Sequence, residues 1–265
     1  MSSAGALAGL GVLVTRPAHQ AEGLSRLIEQ HGGRALRFPV LEILPPSDPG
    51  PLQRVTTRLH EYDWAIFISA NAVERALAPI LSTRSWPSAT RIAVIGRSSE
   101  QALQRHRLHA DLCPTGRFDS EALLALPAMQ KENVDGARVV IFRGEGGREH
   151  LADSLRERGA QVDYVAAYRR ARPEVDVAPL LAQWRAGAID IVLVTSAESL
   201  HNLVTMTAGE GGELLRRTPL LVVSERMLPV LQQHGFDQPP VLAANATDAA
   251  VLEALLAWQA ARAQG

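Results

Sequence analysis

The sequence predicts a doubled α/β fold, two domains of parallel sheet covered by helices. The first observation is a self-match at an offset of 127 residues, in which Arg16, Leu24, Gly32, Asp63, Ser69 and Ala70 coincide with Arg143, Leu151, Gly159, Asp190, Ser196 and Ala197. The offset drifts to 128 at Val94, Leu103 and His106, which meet Val222, Leu231 and His234, and to 129 at Asp119 and Leu123, which meet Asp248 and Leu252. Single insertions account for the drift, and a period this long makes each copy a domain rather than a stacking module. The second observation is that short apolar runs alternate with helical patterns in both copies, which by the right-handed crossover rule gives parallel sheets with helices on both faces. The third is composition: 265 residues, 46% of them hydrophobic, suffice for ordinary cores. A cleft between the two copies is the expected ligand site.

The elements follow in order. Residues 11–15 and 138–142 are β-branched apolar runs of the kind that form buried parallel strands, and each leads into an arginine and a turn. Leu24, Leu27 and Ile28, and in the second copy Leu151 and Leu155, fall on one helical face ahead of Gly32 and Gly159, where left-handed C-terminal caps are expected. Residues 38–44 and 162–168 read as extended segments, either a two-stranded connector or extra sheet strands. Strands then follow at 64–68 and 191–194, after Asp63 and Asp190, and again at 92–95 and 220–223. The two aspartates are expected to be turn formers.

Charge and residue usage exclude several classes. A net charge of −1 gives no general attraction for polyanions, so nucleic-acid binding is not expected. The single cysteine, Cys113, excludes an intramolecular disulfide and a multi-thiolate metal site. Without a basic leader or a long apolar span, a cytoplasmic protein that does not enter membranes is expected. Lys131 is the only lysine among 27 basic residues, and it lies in no Schiff-base or P-loop motif. Histidines at metal spacing and a nucleophile elbow are also missing, and His106 and His109 read as a solvated helix end.

Chemistry is expected at the strand-to-helix turns. Thr195 with Glu198, Asn71 with Glu74 and Ser98 with Gln101 read as capping boxes, with Ser69, Ser196 and Ser224 at nearby strand ends. In a parallel sheet all these turns share the carboxyl edge, where helix N-termini offer unpaired N–H groups to anions. Thr15 and Arg16, and Ala70 beside Ser69 and Asn71, belong to the same set of expected binding residues. The turn Arg143-Gly144-Glu145-Gly146-Gly147-Arg148 lacks the signature of a nucleotide loop but places backbone amides and two arginines where a carboxylate could be gripped.

These residues together resemble the uroporphyrinogen-III synthase family. The resemblance covers nearly the whole chain, through Val12-Leu13-Val14-Thr15-Arg16-Pro17, Phe67 to Val73, Ala93 to Gly96, Arg143-Gly144 with Gly147-Arg148-Glu149, Tyr168-Arg169-Arg170, Thr195-Ser196 and Val223 to Arg226. It implies two flavodoxin-like domains joined by a two-stranded linker: a discontinuous domain of 1–37 and 172–265, a second of 46–164, and linker strands at 38–45 and 165–171. It implies conversion of linear hydroxymethylbilane to uroporphyrinogen III, with loss of water and inversion of the last pyrrole ring, without a cofactor or metal, by a monomer. Tyr168 matches the family's linker tyrosine, which implies a general acid for the departing hydroxyl, beside the alternative of a packing role. The sequence departs from the family at Ser98-Ser99-Glu100, where members carry Thr-Ala, so a threonine contact would pass to Ser99. A non-enzymatic two-domain module that binds a small anion is the alternative class.

Overall fold

The computed structural model describes residues 5–263. Among the described residues ten strands form in chain order: β1 Gly11–Val14, β2 Arg34–Arg37, β3 Glu42–Leu44, β4 Trp64–Phe67, β5 Arg91–Val94, β6 Arg138–Gly144, β7 Gln161–Ala171, β8 Ile191–Val194, β9 Leu220–Val222 and β10 Val241–Leu242. The chain divides into two compact units, one made of Met1–Glu42 with Ala171–Gly265 and the other of Ile43–Arg170.

The first unit holds a five-stranded sheet in the order β10-β9-β8-β1-β2. Its recorded pairings are parallel, with Val12 opposite both Ala35 and Ile191, Val192 opposite Leu220, and Val241 opposite Leu221. Counted along the unit, the order is 2-1-3-4-5, the flavodoxin-like arrangement of a doubly wound sheet. Because side chains alternate across a strand, Leu13, Val192, Val194 and Val222 enter one core, while Val12, Val14, Ile191, Leu193 and Leu221 enter the other. Both faces are therefore apolar and both are covered, as a parallel sheet requires.

The second unit holds a sheet in the order β3-β7-β6-β4-β5. Parallel pairs place Trp64 opposite Val139 and Arg91, and Arg138 opposite Gln161. Trp64, Ile66, Val139 and Ile141 fill one core, and on the other face Phe67 and Phe142 stack with centroids 4.9 Å apart. β3 and β7, which lie within the two segments read as a connector or as extra strands, are neighbours in this sheet, and Tyr168 pairs with Gly144.

Gly32 and Gly159 adopt φ of +83° and +94°, one residue past the helix caps at His31 and Arg158, as a left-handed C-terminal cap requires. Asp63 and Asp190 do more than turn the chain. The Gly11 amide donates to Asp190 Oδ2 and the Arg138 amide to Asp63 Oδ2, each at 2.8 Å. Each carboxylate thus pins the first residue of the neighbouring central strand, at the amino edge of its sheet.

Candidate active site

The capping geometry corrects the sequence expectation. In the helix Ala70–Thr83 the cap is Ser69, whose Oγ accepts from the Ala72 amide, so Asn71 lies inside the first turn and Glu74 does not reach back to it as an N3 residue. Glu74 instead accepts from Arg105 and pairs with His106 Nε2 at 2.8 Å; burial pushes its pKa up, but the hydrogen bonds of His106 and Arg105 outweigh this and hold it below the ordinary value. The helix Ala197–Met206 is capped by Ser196 through the Ser199 amide, not by Thr195. Gly96 caps the helix Arg97–Arg105 without a side chain, which places Ser98 and Ser99 in the first turn. The physical reason is common to all three: Ser69, Ser196 and Gly96 keep extended backbone (φ between −162° and −158°), so the strand runs to the cap, and the helix begins two residues earlier than the spacing suggested after Ser69 and Gly96 and one residue later after Ser196. Of the two serines in that last turn, Ser98 is exposed and Ser99 buried, so the exposed hydroxyl is Ser98.

At the carboxyl edge of the second unit, the ring of Tyr168 lies against Gly144, where an added Cβ would come within 2.8 Å of Cζ. Tyr168 is 1% exposed. Its hydroxyl stands 3.2 Å from Ser69 Oγ and 3.5 Å from Arg170 Nη2, whose guanidinium lies 5.9 Å from the ring centroid. The turn that follows is shaped by Arg143. Rather than facing solvent, Arg143 is buried, donates to the carbonyls of Gly144, Gly146 and Arg148, and lies 4.6 Å from the Tyr164 ring centroid. Gly146 and Gly147 take φ of +72° and +97°, conformations that side chains rarely tolerate, and so turn the loop back over that guanidinium. Glu145 accepts from the Ser47 amide and hydroxyl and closes the outer side of the loop. Arg148 is exposed, and with Ile68, Ile95, Ser120 and His150 it lines a cavity of about 260 Å³ at this edge. A cavity of about 830 Å³ lies elsewhere in the unit, beside the helices Gly50–Arg58 and Ala70–Thr83, and none of the expected site residues lines it.

The first unit uses equivalent positions differently. Thr15 is fully buried, and its hydroxyl donates to Leu193 O at 2.6 Å, joining β1 to β8. Arg16 is buried as well, paired with Asp248 and donating to Ala246 O at 2.8 Å, so it fastens the start of the helix Asp248–Arg262. Ser196 Oγ lies 2.9 Å from the buried Ser199 Oγ. Ser224 accepts from the Arg226 amide at 3.3 Å, while Thr195 stands half-buried at the same edge.

The structure thus gathers Ser69, Ala70, Asn71, Gly144 and Tyr168 at one edge and keeps Thr195, Ser196 and Ser224 at the other. Thr15, Arg16, Ser99 and Arg143 are enclosed. The sequence reading did not single out Arg170, Ser199 or Asp248 as site partners. Arg170 could have been found from the basic pair after Tyr168, since alternation along a strand separates two successive side chains.

The architecture defines a class: a two-domain α/β protein of parallel, doubly wound sheets with hydroxyl-capped helix starts at the carboxyl edges. A family model for uroporphyrinogen-III synthase HemD matches residues 22–253. Among curated proteins, the uroporphyrinogen-III synthases of Salmonella typhimurium and of Escherichia coli are each 35% identical over 248 residues, covering 93% of this chain and 100% of theirs. The chain belongs to the uroporphyrinogen-III synthase family. Among solved structures, a mutant uroporphyrinogen III synthase from the extremely thermophilic bacterium Thermus thermophilus shares the fold with a TM-score of 0.60 at 18% identity, covering 97% of this chain and 100% of that one. The uroporphyrinogen-III synthetase of Helicobacter pylori does so at 0.56 and 14%, covering 94% and 99%.

Proposed function

We propose that this chain cyclises hydroxymethylbilane to uroporphyrinogen III, with loss of water and inversion of the terminal ring, as a cofactor-independent cytoplasmic monomer. The observation that carries this is the family match, which runs through both sheets. The chemistry suits the edges just described. The substrate loses its hydroxyl readily, and the attacking carbon of the last ring must be chosen by holding the chain in place, which is catalysis by positioning. Its many carboxylates call for donors, and helix starts at Ala70, Arg97 and Ala197, with the exposed or half-buried Ser98, Arg148, Thr195, Ser196 and Ser224, supply them. The amides of Gly146 and Gly147 add further donors on an exposed turn. Proton donation to the departing hydroxyl is assigned to the edge that holds Tyr168. Segments 38–45 and 165–171 serve as the linker strands.

The test is incubation of purified protein with freshly made hydroxymethylbilane, with a chelator and no added cofactor, followed by separation of type I and type III products. Type III product is expected at a rate well above spontaneous cyclisation. Type I product alone, or activity lost on chelation, overturns the proposal.

A further inference from the structure

Two hydroxyls in series at the edge of the second unit have one proton arrangement that leaves nothing buried and unsatisfied. A guanidinium and a backbone amide can only donate. Tyr168 Oη accepts from Arg170 at 3.5 Å, and Ser69 Oγ accepts from the Ala72 amide at 3.1 Å. The two oxygens are 3.2 Å apart, so one O–H is spent between them and the other points elsewhere. Were Ser69 the donor, the phenol proton would lack an acceptor among the described residues while its side chain is 1% exposed. An unsatisfied buried donor carries the full cost of its desolvation. With Tyr168 as donor that cost disappears, and the free O–H belongs to Ser69, which is half-buried and so reachable.

We infer that Ser69, rather than Tyr168, meets the leaving hydroxyl of the substrate, at the end of a directed chain from Arg170 through Tyr168 to Ser69. The inference rests on the cyclisation proposed above. The C–O bond breaks with its electron pair leaving on oxygen, driven by the lone pair of the adjacent pyrrole nitrogen. The Ser69 proton passes to that oxygen and completes a water molecule, while the Tyr168 proton replaces it on Ser69. The phenolate so formed faces the Arg170 guanidinium. As the macrocycle closes, the attacking ring sheds one proton, which restores the phenol, so the net loss is one water. Ser69 is the catalytic residue of the chain, and Tyr168 and Arg170 are positioning residues that act through it. Gly144 sets the register of the chain, because an added Cβ would lie 3.1 Å from the phenol oxygen.

The experiment measures initial rates on fresh hydroxymethylbilane, corrected for spontaneous cyclisation, with thermal unfolding alongside. Wild-type turnover is established first; its failure would concern the reaction and not the chain of hydroxyls. Ser69→Asn keeps an N-cap acceptor for the helix but removes the hydroxyl proton. It should lose about 10²-fold or more in kcat, Ser69→Thr should retain most activity, and Tyr168→Phe should fall to a level similar to Ser69→Asn. Because the residues act as a unit, the double variant should be no slower than the slower single one. Arg170→Gln should lower kcat with KM held, and Arg170→Lys should restore part of the loss. A folded Ser69→Asn protein within a few-fold of an active wild type, losses that multiply in the double variant, or a rise of KM alone in Arg170→Gln would overturn the inference.

Discussion

Ser69 and Ser196 stand 127 residues apart in the sequence, each capping a helix that follows a central strand, yet their hydroxyls have different buried neighbours. Behind Ser69 lies a phenol, and behind Ser196 lies the aliphatic hydroxyl of Ser199. Position 72, which matches Ser199 at that offset, is alanine, and position 41, which matches Tyr168, is leucine. Phenols ionise near pH 10, whereas aliphatic hydroxyls are far weaker acids. On the proposed reading, two edges with the same cap geometry are thereby fitted to different work: the second unit supplies a proton, and the first only donates hydrogen bonds. The arginine after β1 and its match near the end of β6 diverge in the same way. Arg16 ties its strand to a distant helix start, and Arg143 folds its own loop.

The contrast can be broken most sharply at Gly144. Its match in the first unit is Pro17, so only the second unit needs a residue without a side chain under a ring. Gly144→Ala should displace Tyr168 and reduce turnover by about 10²-fold, the lower end of what a positioned acid contributes. Overpacking should also destabilise the fold by about 1–3 kcal/mol, read by thermal unfolding.

The arginines give the next effect. Arg16→Met leaves Asp248 without its enclosed partner and should destabilise the protein by about 1–3 kcal/mol. Arg143→Met removes hydrogen bonds within one exposed loop and should cost less, with the change confined in hydrogen exchange to residues 144–149. Equal destabilisation by the two would contradict the division drawn between them.

Ser196→Ala should lose the cap, about 1 kcal/mol of stability, and slow turnover about tenfold or less, as the loss of a single donor predicts. A loss as large as that of Tyr168→Phe would move the acid to the first unit.

The smallest expected effect lies at the opposite edge. Burial, with a hydrogen bond to Asp163 at 2.5 Å, pushes the Tyr62 pKa up to about 12. A group whose folded pKa is raised contributes stability that is complete below its unfolded value, near 10, and is lost as pH rises through 12. The unfolding temperature should therefore fall between pH 10 and 12, and fall less in Tyr62→Phe. The matching position, 189, is isoleucine, so substitution there should leave the alkaline limb unchanged.

Much of the fold was legible because parallel strands buried on both faces are nearly pure apolar runs, as at Val12 to Val14 and Ile191 to Val194, and because Gly32 and Gly159 mark helix ends. The caps were misplaced by one or two residues since serine and threonine cluster at strand ends, and local spacing does not say which one keeps extended backbone. The site was less legible. That Thr15 would be spent on a carbonyl, and that Arg16 would meet Asp248, depends on contacts between distant parts of the chain, whereas Arg143 is spent on carbonyls of its own loop, whose fold the spacing does not give. Tyr168 could be found by motif, but its burial follows from the pairing of β7 with β6, which no short segment reveals.

The most direct test of the division of labour is a parallel measurement of type III formation by Tyr168→Phe and Ser199→Ala, the two variants that remove the buried hydroxyl behind each capping serine. Initial rates on fresh hydroxymethylbilane should fall about 10²–10⁴-fold for Tyr168→Phe and no more than about tenfold for Ser199→Ala, with both proteins folded. Comparable losses in the two, or a larger loss in Ser199→Ala, would contradict the assignment of proton donation to the second unit.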